Sequence, residues 1–183
     1  MTNHSYQYDK LSKAFHWFTA VVVVAAFVLG PGDFGEVIDS GIDPATRMDI
    51  VWHESLGLAI FVLTFLRLIW VAMRPEAPRH QVSPWMHGIS RLVHFVLWAL
   101  LLALPMTALL ALWTEGNPLT LLGGIRLNEL PFLASSTLGR LADWGEVHKF
   151  LGDAIVWLAG THALAALYHH FKLKDKVLTS MLP

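Results

Sequence analysis

Four long apolar segments constrain the fold of this chain more than any other feature. They lie at about 11–29, 50–73, 89–113 and 146–171, and each is long enough to cross a bilayer as an α-helix, which takes about 20 residues. Only 15% of the 183 residues are charged, whereas soluble domains have about a quarter. We therefore expect a single integral-membrane domain over residues 1–183, an all-α four-helix transmembrane bundle in contact with membrane lipid.

Composition excludes several classes of partner and site. The chain has no cysteine, which excludes disulfides, iron–sulfur clusters and zinc sites built from thiolates. Its formal net charge is -1, which argues against nucleic acid, because proteins that bind nucleic acid have basic surfaces.

The charge of the connections predicts the orientation, because Lys and Arg collect on the cytoplasmic side of a membrane. The first connection contains five acids and a single cation, Arg47. Cations dominate the amino-terminal region, the second connection and the carboxyl-terminal tail: Lys10, Lys13, Arg74, Arg79, Lys172, Lys174 and Lys176. We expect both termini to be cytoplasmic. The third connection, about 114–145, is too long for a bare turn and contains GNP and the apolar stretch LTLLGGIRL. We expect a short interfacial helix in this connection, over the outer end of the bundle.

Four histidines lie within the apolar segments or at their ends and pair by depth. His16 and His162 share an inner level, and His53 and His148 share an outer one. Intramembrane ionisable residues are functional candidates by default. His148 and His162 are fourteen positions apart, so a helix places them on nearly one face, about 21 Å from each other. Two imidazoles at each of two levels are what two six-coordinate haems need, so we interpret all four as metal ligands.

Two glycines strengthen this interpretation. Gly57 and Gly152 follow the outer histidines by four positions, in HESLG and HKFLG. One helical turn along the same face, a residue without a side chain lets a porphyrin plane lie against the backbone. Two alternatives stay open: histidines that are merely interfacial and hydrogen-bonded, and a zinc or copper site, which the separation of the two levels disfavours.

Arg67 lies fourteen positions after His53, on the same helix face and at the depth of the inner haem. An unpaired guanidinium is costly there, and haem propionates would pair with it. The alternative is an arginine that extends to the cytoplasmic headgroups. On the same side, His94, His169 and His170 are either proton carriers near a quinone or interfacial residues.

Motifs that cover the chain from about Tyr6 to Pro183 also indicate a family. They are LSKAFHW, HESLG, ALPMTALL, GNP, WGEVHKFLG, THALAALYHHF and KDKVLTSMLP. Together they resemble the bacterial cytochrome b561 family. The resemblance implies four transmembrane helices in the bacterial inner membrane, two haem b groups per chain with bis-histidine ligation, and electron exchange with ubiquinone. His16, His53, His148 and His162 fall on the haem ligands of that family.

The resemblance also implies an activity. One branch of the family is similar to superoxide oxidases, which take an electron from periplasmic superoxide and reduce quinone. The cations near the outer face that would draw in a small anion are Arg47, Arg126, Arg140 and Lys149. Arg91 and His94, near the inner haem, are the candidate quinone residues.

Two functions of different classes follow. The first is a self-contained oxidoreductase that moves electrons from superoxide, or another one-electron donor, through two haems to ubiquinone. The second is a membrane-anchoring cytochrome b subunit that carries electrons between a periplasmic dehydrogenase or hydrogenase and the quinone pool. A haem-free transporter or structural bundle has little support in the sequence.

Overall fold

The computed structural model describes residues 7–74, 83–128, 130, 132 and 135–183. Helix α1 spans Lys10–Val28, a short α2 spans Phe34–Asp39, α3 spans Met48–Met73 and α4 spans Pro84–Thr114. Strands β1, Leu119–Leu121, and β2, Ile125–Leu127, precede α5, Trp144–Tyr168, and α6, Val177–Met181. Between the last two helices, α5 continues as π-helix over His169–Leu173.

Four of these helices are long and apolar enough to cross a membrane: α1, α3, α4, and α5 with its π-helical extension. They coincide with the four predicted segments, so the predicted four-helix transmembrane bundle is confirmed. Helix α4 begins earlier than predicted, at Pro84, because proline is favoured in the first turn of a helix. Many large apolar side chains are exposed, Trp157 to 76% and Phe95 to 70%, and a surface of this kind is covered by lipid in a membrane protein.

Capping residues begin two of the spans, and one core joins all four. The Asp9 carboxylate accepts a hydrogen bond from the Ser12 amide at 2.8 Å, and Asp143 accepts one from the Glu146 amide at 3.0 Å. Such caps satisfy amides that the first helical turn leaves unpaired.

Every span contributes to the central apolar cluster, which consists of Val22, Ala26, Ile60, Leu100, Leu101 and Ile155.

The two chain ends meet at one end of the bundle, which we call the tail end. The Tyr8 amide donates to the Ser180 carbonyl at 3.1 Å, and the Trp17 indole donates to the Met181 carbonyl at 2.9 Å. That this end is cytoplasmic stays a prediction. Arg79, one of the cations on which the orientation was predicted, lies outside the described residues.

The apolar stretch of the third connection forms strands. Residues 119–127 are an antiparallel hairpin, with Leu119 opposite Leu127 and Leu121 opposite Ile125, and a short interfacial helix elsewhere in the connection stays a prediction. Gly123 and Gly124 in the turn have φ of 82° and 78°, which residues with a side chain rarely adopt. A Gly-Gly pair between apolar runs is a hairpin signal that could have predicted this turn. We call the end of the bundle that holds this hairpin the hairpin end. In the same connection, residues 129, 131, 133 and 134 lie outside the described residues.

Candidate functional site

His53 on α3 and His148 on α5 face each other near the hairpin end. Their ring centroids are 6.0 Å apart and their planes are nearly perpendicular, at 87°. A metal–imidazole bond is about 2 Å long, so two imidazoles on opposite sides of one metal ion have centroids roughly 6 Å apart. The structure therefore brings this predicted pair together at a separation that suits a single iron.

Backbone carbonyls on neighbouring helices orient both rings. His53 Nδ1 lies 2.8 Å from the Ala26 carbonyl, and His148 Nδ1 lies 2.9 Å from the Leu104 carbonyl. A carbonyl only accepts, so each Nδ1 carries the proton and each Nε2 keeps its lone pair. Metal-binding histidines are commonly held in this way, through the ring nitrogen that does not bind the metal.

The two rings line a cleft that encloses about 860 Å³ of space not filled by protein atoms, part of it open to the surroundings. Its polar lining residues are His53, Glu54 and His148, and the remainder are apolar or glycine. Gly57 and Gly152 both line it, and a Cβ added at either would meet nothing within 4 Å. An apolar cleft with two free imidazole nitrogens and two open glycines fits a flat apolar macrocycle, so the residues present suit haem.

The hairpin covers the end of this cleft. The buried Glu54 carboxylate accepts a short hydrogen bond from the Thr120 amide, and Ser55 Oγ accepts one from the Leu122 amide at 2.9 Å. Leu119, 5% exposed, lines the cleft. The roles of Glu54 and Ser55 were not predicted from the sequence. A carboxylate beside a candidate ligand in an apolar segment was the signal that could have revealed it.

Three histidines approach one another nearer the tail end. The His94 and His162 rings have centroids 5.2 Å apart, and His16 is close enough to interact electrostatically with both of them and with Arg67. His16 and His162 are partly buried, whereas His94 is exposed on the bundle surface. The predicted pair of His16 and His162 therefore shares its level with a third imidazole, which was assigned only a possible role near quinone.

Arg67 lies beside this cluster. Its guanidinium stacks over the Trp98 ring, 4.8 Å from the ring centroid. Among the described residues, no carboxylate pairs with it. Trp98 gives the cation a favourable aromatic face, but its charge remains available for an anionic group.

Two of the four predicted anion-attracting cations are already paired with carboxylates. Arg47 contacts Asp33 at 3.1 Å and Asp49 at 2.7 Å, and Arg126 makes a short ion pair with Asp43. The hydrogen bonds that Arg47 donates to Asp49 and Asp33 raise the pKa of Arg47. Within the part of the chain that the structure describes, Arg140 and Lys149 are exposed and have no ion pair.

The candidate quinone residues lie on α4. Arg91 is exposed, and His94 one turn later has its Nδ1 3.4 Å from Ser90 Oγ. In the π-helical extension, His169 Nδ1 lies 2.5 Å from an Asp175 carboxylate oxygen. His169 was predicted as a candidate proton carrier, but its carboxylate partner was not predicted.

The zinc or copper alternative gains no support. Over residues 7–74, 83–128 and 135–183, no three His, Asp or Glu side chains converge closely enough to hold one ion.

Comparisons with known proteins indicate the family of this chain. Over 99% of this chain and 94% of its own length, cytochrome b561 homolog 2 of Escherichia coli (strain K12) is 31% identical. The probable superoxide oxidase CybB of Yersinia pestis is 28% identical over 97% of this chain and 96% of its own length. Cytochrome b562 of Cereibacter sphaeroides is 26% identical over 96% of this chain and 94% of its own length.

The family described as prokaryotic cytochrome b561 matches residues 7–183. Because that match spans nearly the whole chain and the four apolar helices agree with it, this chain belongs to the prokaryotic cytochrome b561 family and is a multi-pass membrane b-type cytochrome that transfers electrons.

Proposed function

We propose that this chain is a superoxide:ubiquinone oxidoreductase of the bacterial inner membrane, with two haem b groups and with its tail end in the cytoplasm. The observation that carries the proposal is the His53–His148 pair, whose Nδ1 atoms are held by carbonyls of other helices beside a glycine-lined cleft. His53 and His148 are the ligands of the hairpin-end haem. Bound haem would supply reversible one-electron storage.

His16 and His162 are the ligands of the tail-end haem in this proposal. They are the two more shielded imidazoles of the three-histidine cluster, and shielding from water favours a stable ligand pair. Arg67 holds the haem propionates, since its guanidinium has no carboxylate partner among the described residues. Two imidazoles at each iron would leave no coordination position for a substrate, so bound haem would exchange electrons with donor and quinone without binding either at iron.

Superoxide is the proposed donor because a relative that spans nearly the full length is named a probable superoxide oxidase. Arg140 and Lys149 are the cations proposed to attract it, since Arg47 and Arg126 are already paired with acids. Attraction of this kind raises the encounter rate and weakens as salt is added.

Ubiquinone accepts the electrons near the tail end. Arg91 and His94 are the proposed contacts, and His169 is a proposed proton donor. The carboxylate of Asp175 fixes the His169 proton on Nδ1 when the ring is neutral. Its Nε2 is then free to take up a proton from water and pass that proton to the quinone.

The ion pairs of Arg47 and Arg126 also favour the second candidate function, the membrane anchor of a periplasmic dehydrogenase or hydrogenase. They leave fewer unpaired cations at the hairpin end for a small anion, and a protein donor does not depend on that attraction.

The test combines haem content with electron transfer. His148→Ala is expected to remove the hairpin-end haem and His162→Ala the tail-end haem, each lowering haem per chain from two to one. His87→Ala, at an exposed position on α4, is the matched control and should retain both. In liposomes, a superoxide flux should reduce the haems and then ubiquinone, more slowly at high salt. If superoxide leaves the haems oxidised while a copurifying dehydrogenase reduces them, the anchor function replaces the enzyme.

A further inference from the structure

A second cavity opens at the tail end, between the start of α1 and the carboxyl-terminal tail. It encloses about 840 Å³ of space not filled by protein atoms, part of it open, and Gln7, Tyr8, Lys10, Lys13, Trp17 and Pro183 line it. The tail is held in place by the bond from the Trp17 indole to the Met181 carbonyl. None of the residues that line this cavity lines the cleft between His53 and His148.

Lys13 is the unusual residue of this cavity, because its side chain is only 8% exposed. Its ammonium donates to Gln7 Oε1 at 3.2 Å, and an ammonium has three donors. Among the described residues, neither an acidic side chain nor the carboxyl group of Pro183 forms an ion pair with Lys13 or Lys10. A lysine this well shielded is rarely left without a counter-charge, so the cavity is suited to an anion.

The nearest acid in the sequence is engaged elsewhere. Asp9 accepts hydrogen bonds from the Ser12 amide and hydroxyl at 2.8 and 2.6 Å. It also accepts one from the Trp70 indole at 3.2 Å and lies 3.9 Å from Arg74. Its carboxylate therefore caps α1 and ties it to α3, and it does not neutralise the two lysines.

The position of the cavity indicates the source of the anion. Lys10 is the first residue of a membrane-spanning helix, so the cavity lies at the level of lipid headgroups. Apolar side chains of α1 are exposed close by, Leu11 to 43% and Phe18 to 58%, and they offer a surface for acyl chains. A freely dissolved anion would make no use of this apolar surface.

We propose that this cavity binds the phosphate of an anionic phospholipid, with Lys13 and Lys10 as the cations that hold it. The lipid also bridges α1 and the tail, because residues of α1 and Pro183 line the cavity together. A basic side chain near an anionic headgroup contributes about 1 kcal/mol to binding, which is a roughly fivefold change in affinity.

The experiment measures lipid binding to the full-length haem-loaded protein in detergent by native mass spectrometry. Dioleoylphosphatidylglycerol is the anionic probe and dioleoylphosphatidylcholine is the zwitterionic one. We expect tighter binding of phosphatidylglycerol, weakened about fivefold by Lys13→Gln and by Lys10→Gln. Lys13→Arg, which keeps the charge, should retain binding. Lys172→Gln, at an exposed lysine that does not line the cavity, is the matched control and should bind like the wild type.

Two results would overturn the proposal. One is equal affinity for phosphatidylglycerol in the wild type, Lys13→Gln and Lys10→Gln. The other is displacement of the lipid by millimolar inorganic phosphate, which would assign the cavity to a free anion. Haem content is measured in every sample, so that loss of lipid binding is not confused with loss of the folded bundle.

Discussion

Gly57 offers a sharp test of the hairpin-end haem site, because the chain with and without a bound macrocycle responds to substitution in opposite directions. In the protein alone, a Cβ at Gly57 meets nothing within 4 Å. Alanine is more favourable than glycine inside a helix by about 0.8–1.0 kcal/mol. Gly57→Ala should therefore stabilise the haem-free chain by about that amount.

With haem in the cleft, the same position would be in contact with the macrocycle, because Gly57 lines the cleft. Added methylene groups in a packed site cost about 1–3 kcal/mol, which weakens binding roughly fivefold to 150-fold. Gly57→Leu adds four carbon atoms beside His53 and His148, so we expect the hairpin-end haem to be lost and haem per chain to fall from two to one.

The assay is haem per chain from a pyridine haemochromogen spectrum, with circular dichroism to confirm that the helices remain. Gly88→Leu is the matched control, since Gly88 also lies in a membrane-spanning helix and a Cβ there also meets nothing within 4 Å. Gly88 does not line the cleft, and its variant should keep two haems. Two haems per chain in Gly57→Leu would refute the assignment of the cleft.

Three further predictions concern charged residues. Arg67→Leu should lower the midpoint potential of the tail-end haem, because a nearby cation favours the reduced state; an unchanged potential in a redox titration would leave only the interfacial role. Glu54→Ala leaves the amide of Thr120, a residue that is 2% exposed, without its acceptor. This substitution should lower the free energy of unfolding by about 1–3 kcal/mol and speed hydrogen exchange at that amide, whereas Glu54→Gln should do neither. The hydrogen bond from Arg47 lowers the pKa of Asp33, so the stability that this pair contributes should be present at neutral pH and disappear as the pH falls below about 4. Thermal unfolding of the wild type and Asp33→Asn, at neutral pH and below about pH 4, checks this prediction. A difference in stability between the two proteins that persists in acid would contradict it.

Local patterns in the sequence predicted the bundle and part of the site. Apolar runs of membrane-spanning length specify helices in lipid, because only a helix or a closed barrel satisfies every backbone polar group there. The four-residue step from His53 to Gly57 also needs only helical geometry, and both residues do line one cleft. These predictions depend on contacts within single helices, which the chain order determines.

The tertiary structure decided which groups from different helices meet. His94 approaches His162 from α4, and the carbonyls of Ala26 and Leu104 reach the two hairpin-end imidazoles. These contacts depend on the rotation of each helix about its axis and on the angles at which the helices cross, and the hydropathy of the sequence predicts neither. The hairpin over the cleft is a further case, since the amide of Thr120 meets the carboxylate of Glu54 from 66 positions away. The sequence by itself thus determined the spans and the residues that share a helix face. The tertiary structure determined the neighbours of each imidazole and the pairing of Arg47 and Arg126 with acids, because those contacts depend on how the helices and connections are arranged in space.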